Sequence, residues 1–122
     1  MLDVIGRAAR SAGEERGWPS DRVALAAREY LRFIRLIERY PTEALVPSAD
    51  VDAVWHHHLN TEHYHRDFGG RAPHHDGCPV EARAERFSRT RSLYRIHFGE
   101  PGALWADAAQ CPEDPAAPEP QR

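Results

Sequence analysis

The sequence predicts an all-α domain, and three observations carry that prediction. Apolar residues recur at intervals of three and four along "DRVALAAREYLRFIRLIERY". Capping and breaking residues bound segments of helical length, and neither strand alternation nor a βαβ pattern is visible. The expected architecture is three principal helices plus a short helix at the start. At 122 residues the chain has room for one modest core.

Taken in order, residues 1–12 predict the short helix through Leu2, Ile5 and Ala9, ended by "SAGEERG". Ser20 is the expected N-cap of the second helix, with Asp21 favourable in its first turn. Val23, Ala27, Tyr30, Ile34 and Ile37 then form one apolar stripe, broadened by Phe33 and Leu36, until Pro41 stops the helix. After the connection "PTEALVPSAD", Ser48 or Asp50 caps a third helix over roughly residues 50–66. "GGRAPHHDGCP" reads as a loop. Pro79 can open the last long helix, through about residue 96, on a face traced by Ala84, Phe87, Arg91, Tyr94 and Phe98 with Leu93 and Ile96 alongside. Gly99 closes it, and a short turn tucks Trp105 against the core. One helical domain over 1–109 and a disordered proline-rich tail over 110–122 complete the expected organisation.

Composition narrows the function classes. No run approaches the eighteen or so apolar residues a membrane helix needs, and the start lacks a secretory apolar stretch, so a cytoplasmic location is expected. The formal charge is −3 and lysine is absent. "ARAERFSRTRSLYR" gathers Arg83, Arg86, Arg89, Arg91 and Arg95, but one arginine-rich helix in a net-acidic protein is poor evidence for nucleic-acid binding. Cys78 and Cys111 form no CxxC motif, and a cytoplasmic disulfide is not expected.

Chemistry concentrates in "DAVWHHHLNTEHYH", residues 52–65, and in "PHHDGC" beyond it; seven of the eight histidines lie between positions 56 and 75. On a regular helix Val51, Trp55 and Leu59 share a core-facing side. Asp52, His56 and His63 group on a second side, while His58, Glu62 and His65 group on a third. His56 and His58 are therefore too far apart around the helix to share one small ion. His57 is expected to be exposed, near Tyr64. Asp52 and His56, one turn apart, suit either two ligands on one metal or a carboxylate orienting an imidazole. The loop supplies further ligands in His74 and His75, with His58 and Cys78 as additional candidates. The same residues can equally form a half-buried hydrogen-bonded pair. No HExxH is present, because leucine follows His58, and no serine sits in a nucleophile elbow.

"VDAVWHHHLNTEHYHRDFGG" followed by "PHHDG" resembles the signature of the glycine-rich-domain-containing-protein-like family. The matching positions are Val51, Asp52, Trp55, His56, His58, Leu59, Thr61 and Tyr64. "TRSLYRIHFGEPGALW" is similar to the family's closing segment through Thr90, Tyr94, Phe98, Gly99, Pro101 and Trp105, so the resemblance spans about residues 25–105. It implies a small bacterial stand-alone form of the domain and singles out Asp52, His56 and His58 among the histidine-helix groups. Developmental, stress and RNA-binding roles attach to large plant members with additional regions not expected here, and are not expected to transfer. Within the resemblance, His58 is expected to bond across to another helix, to Tyr30 or Tyr94.

Two functional readings follow. In the first, Asp52, His56, His74 and His75 bind zinc or non-haem iron. In the second, the histidines form hydrogen-bond networks in a structural or protein-interaction module. Its partner surface would be the arginine-rich helix or the rim around Trp18 and Trp105. No motif assigns a reaction, and oligomeric state is left open.

Overall fold

Helices account for every regular element of the described chain except one isolated antiparallel bridge between Ser48 and Ala108. The computed structural model describes residues 2–61, 64–67 and 80–109, with the side chains of His65 and Asp67 outside that set. The elements are α1 (Leu2–Arg16), α2 (Ser20–Arg39), α3 (Ala49–Leu59), the single turn α4 (Tyr64–Asp67), α5 (Val80–Phe98) and the 3₁₀ turn η1 (Ala103–Trp105). Helices α1, α2 and α3 pack on one another, α5 lies against α2, and η1 packs on α3. The tail expected over 110–122 lies outside the described residues.

α1 continues to Arg16, past the predicted stop at residue 12. Its buried side is built from Ile5, Ala8, Ala9, Ala12 and Gly13, small residues that let the helix approach its neighbours closely. A β-carbon at Gly13 would stand 2.5 Å from a Val23 methyl group, so that contact needs glycine. Gly17 and Gly99, at φ of 74° and 89°, take the left-handed conformation that ends α1 and α5.

α2 starts at Ser20 itself; Pro19 holds the cap position and offers no side-chain acceptor. Its stripe is buried as expected at Tyr30, Phe33, Ile34 and Leu36, but Glu29 is buried beside them at 3% exposure. Ser48 caps α3 by accepting from the Val51 amide at 3.2 Å. α3 then stops at Leu59, short of residue 66, and the Thr61 hydroxyl and amide both turn back onto the His58 carbonyl there, at 2.8 and 3.0 Å.

The core is joined by a run of aromatic contacts. Trp55 meets Phe33 edge-on at 5.3 Å, and Phe33 meets Trp105, which stacks on Phe87 and tilts against Tyr94. The run links α3, α2, η1 and α5, an arrangement that fixes their spacing. Ile96, expected beside the apolar face of α5, is 70% exposed, whereas Thr90 is buried and accepts from the Val46 amide at 3.0 Å. The segment after η1 is strapped to the α2–α3 connection, with Ala49 N–H donating to Asp107 O and Ala109 N–H to Pro47 O, each at 3.0 Å.

Candidate functional site

α3 carries the candidate residues and is enclosed on nearly all sides. Val51, Asp52, Ala53, Val54, Trp55 and His58 are all buried, because α1 and α2 flank the helix together. A two-sided division into core and solvent faces therefore does not describe it. Trp55 is anchored as expected at 4% exposure, and its indole N–H donates to the Tyr64 hydroxyl at 2.9 Å.

Asp52 and His56 do form a pair, with the carboxylate 3.2 Å from His56 Nε2. The His56 side chain is one-third exposed and that of Asp52 only 11% exposed, so the pair sits at the edge of the core. Asp52 also lies in the first turn of α3, where the helix dipole favours its negative charge.

His58 faces elsewhere and is fully buried. Its Nδ1 lies 2.7 Å from the Tyr30 hydroxyl, and its ring meets those of Tyr30 and Tyr64 edge-on at 5.6 and 5.0 Å. This is the cross-helix bond expected for it, with Tyr30 rather than Tyr94. An enclosed imidazole without such a partner would cost about 1–3 kcal/mol. Burial raises the hydroxyl pKa of the neighbouring Tyr64, an effect that the bond from Trp55 partly offsets.

His57 corrects an expectation. Its side chain is only 31% exposed and stands 3.5 Å from Glu15 of α1. The grouping of His58 with Glu62 and His65 falls on residues outside the described set. Glu62, His63, His74, His75 and Cys78, and the side chain of His65, lie outside the described residues. Among the described residues, no group of three His, Cys, Asp or Glu is placed to hold a metal ion.

A dense polar cluster among the described residues centres on Glu29, which the sequence did not single out. Its Oε1 accepts from the Tyr94 hydroxyl at 2.5 Å and from Trp105 Nε1 at 2.9 Å. Its Oε2 receives Arg28 at 3.2 Å and Arg32 at 3.3 Å, and Arg32 also donates to the Tyr94 hydroxyl at 2.8 Å. Burial, and then the bond to the Glu29 carboxylate, raise the Tyr94 pKa. The cluster joins α2, α5 and η1, and every polar atom of Glu29 is used. The only trace of it in sequence is a carboxylate on the flank of an apolar stripe, a feature shared with many solvated glutamates.

Of the expected partner surfaces, the rim around Trp105 is closed, since Trp105 is fully buried. Trp18 is half-buried with the Arg22 guanidinium 5.1 Å from its ring. Arg22 also makes paired hydrogen bonds to both Asp50 oxygens at 2.9 Å, which hold its guanidinium pKa above the ordinary value. No helix among the described residues is long and apolar enough to cross a membrane.

Neither the curated proteins nor the solved structures compared include a match to the chain. Residues 20–67 match the family described as glycine-rich domain-containing protein-like. The matched segment runs from α2 through the Ser48 cap to α4, taking in Glu29, Tyr30, Asp52, Trp55, His56 and His58. It does not extend to the closing segment around Trp105.

Proposed function

We propose that the domain is a protein-interaction scaffold whose distinctive polar residues are spent on internal hydrogen-bond networks. The observation that supports this most directly is the pairing of fully buried His58 with Tyr30 at 2.7 Å. The His58 ring is enclosed between Tyr30 and Tyr64 and ties α3 to α2, so its burial is accounted for by packing and this bond. Glu29 follows the same pattern, with its carboxylate consumed by two buried donors and two arginines. Networks of this kind hold helices in one arrangement and leave the surface for partners. A cytoplasmic location and a bacterial form of the domain belong to the same proposal, supported by composition and by the resemblance described above.

One observation favours a second reading. The Asp52–His56 contact at 3.2 Å sits at the edge of the core with His56 partly exposed. In this reading the pair would hold zinc or non-haem iron together with His74 and His75, with Cys78 a lesser candidate, while His58, buried against Tyr30, would not join it.

Metal analysis of untagged protein at neutral pH separates the two. The scaffold reading expects no stoichiometric zinc or iron. It also expects a double-mutant cycle on Tyr30→Phe and His58→Ala to give a coupling of about 0.5–3 kcal/mol. Stoichiometric metal that is lost in His56→Ala and kept in His57→Ala would replace the scaffold reading with the second one.

A further inference from the structure

The arginine-rich segment most conspicuous in sequence is not where unpaired positive charge is exposed. On α5, Arg89 is bound to Glu43 at 3.2 Å and Arg95 to Glu100 at 2.8 Å, and Arg91 lies over the Phe87 ring. On α2, by contrast, Arg28, Arg32, Arg35 and Arg39 follow one another at steps of four, three and four. At about 100° per residue, all four fall within roughly 60° of one another around the helix. Arg28, Arg35 and Arg39 are exposed and Arg32 is partly so. Arg28 and Arg32 share one carboxylate, that of Glu29, and Arg32 is further engaged by the Tyr94 hydroxyl and the Phe98 ring, so the unpaired charge of the ridge is that of Arg35 and Arg39, with exposed Arg28 beside them. Arg35 and Arg39 have no carboxylate partner among the described residues.

Two features say what would cover this ridge. Leu25, which is 37% exposed, and half-buried Leu31 flank it at about 60° on either side, so apolar contact is available beside the charges. The ridge is a single convex helix face about 16 Å long. An extended polyanion would overrun it and meet the rest of a protein whose net charge is −3. A short acidic helix meets only the ridge. Guanidinium groups pair with carboxylates through two parallel hydrogen bonds, and carboxylates within a four-three-four repeat reach the exposed Arg28, Arg35 and Arg39.

We propose that the α2 arginine ridge is a docking surface for an acidic amphipathic helix of a partner protein. This rests on the scaffold reading and names the partner that reading requires. The probe is a fluorescein-labelled helical peptide with glutamates at the four-three-four spacing and leucines on their flanks, titrated by fluorescence anisotropy at about 150 mM salt. Arg35→Glu with Arg39→Glu should weaken binding at least tenfold. Arg7→Glu with Arg10→Glu on α1, which changes net charge equally, should weaken it less than threefold. All four positions are exposed, so both double variants should keep wild-type helicity by circular dichroism. Equal effects of the two pairs would overturn the proposal in favour of a general charge effect, and so would no saturation at millimolar peptide. Tighter binding of a single-stranded RNA of similar length through the same two arginines would replace the acidic helix by nucleic acid. Stoichiometric metal in untagged protein would count against the scaffold reading but would not alter these titrations, so the two failures are distinguishable.

Discussion

Replacing Glu29 by alanine should cost about 3–5 kcal/mol, the range for breaking a buried ion pair from one side. The magnitude follows from what each partner loses. Trp105 is fully buried, so its indole N–H has no water to turn to once Oε1 is gone. A stranded donor of this kind costs about 1–3 kcal/mol. Tyr94 is 2% exposed and also loses its acceptor, although its oxygen still receives Arg32 at 2.8 Å. Arg28, with 59% of its side chain exposed, returns to solvent and adds little. Glu29→Gln keeps an oxygen for Trp105 and Tyr94 and loses mainly the charge against Arg32, so about 1–2 kcal/mol is expected. A domain of this size has about 5–15 kcal/mol to lose. Urea unfolding followed by circular dichroism at 222 nm measures both variants without relying on the tryptophan next to the mutation. With a slope near 2 kcal/mol/M, the alanine variant should unfold about 2 M earlier. A loss below about 1 kcal/mol for alanine would mean that the carboxylate is solvated. A glutamine variant as unstable as alanine would mean that charge, rather than the acceptor oxygen, holds the cluster.

Trp55→Ala should cost roughly 3–5 kcal/mol by cavity formation and by stranding the Tyr64 contact; a loss below about 1 kcal/mol in the same assay would place Trp55 at the surface. Alkaline stability should track the buried tyrosines. Tyr64 and Tyr94 are both raised above the ordinary value of 10.0, chiefly by burial. A group raised in the folded state contributes stability that is complete below its unfolded pKa and lost as pH climbs through the folded one. Melting temperature should therefore begin to fall as pH passes about 10, and Tyr64→Phe should flatten that fall. The absence of lysine keeps the titration simple, and an unchanged slope in the variant would contradict the assignment. Deleting residues 112–122 should leave the melting temperature within a few degrees, whereas deleting 103–122 removes Trp105 and should abolish cooperative unfolding. Cooperative unfolding of the shorter chain would show that η1 is dispensable.

Sequence by itself determined what depends on neighbours a few positions away. The stripe of α2, the Ser48 cap, the Gly99 stop and the burial of Trp55 all follow from helical spacing and local hydrogen bonding. The Asp52–His56 pair was legible for the same reason, since four residues make one turn. Tertiary structure decided everything that depends on distant partners. Glu29 meets Tyr94 and Trp105, which lie 65 and 76 positions away, and only the docking of α5 and η1 turns an ordinary helix-flank glutamate into a buried hub. His58 needed Tyr30, 28 positions earlier, before its burial made physical sense. The length of α1 was hidden because alanine and glycine carry almost no periodic hydrophobic signal; their value lies in the close approach seen at Gly13 and Val23. The end of α3 at Leu59, where the Thr61 amide and hydroxyl both bond back to the His58 carbonyl, is a local turn that helical periodicity does not register.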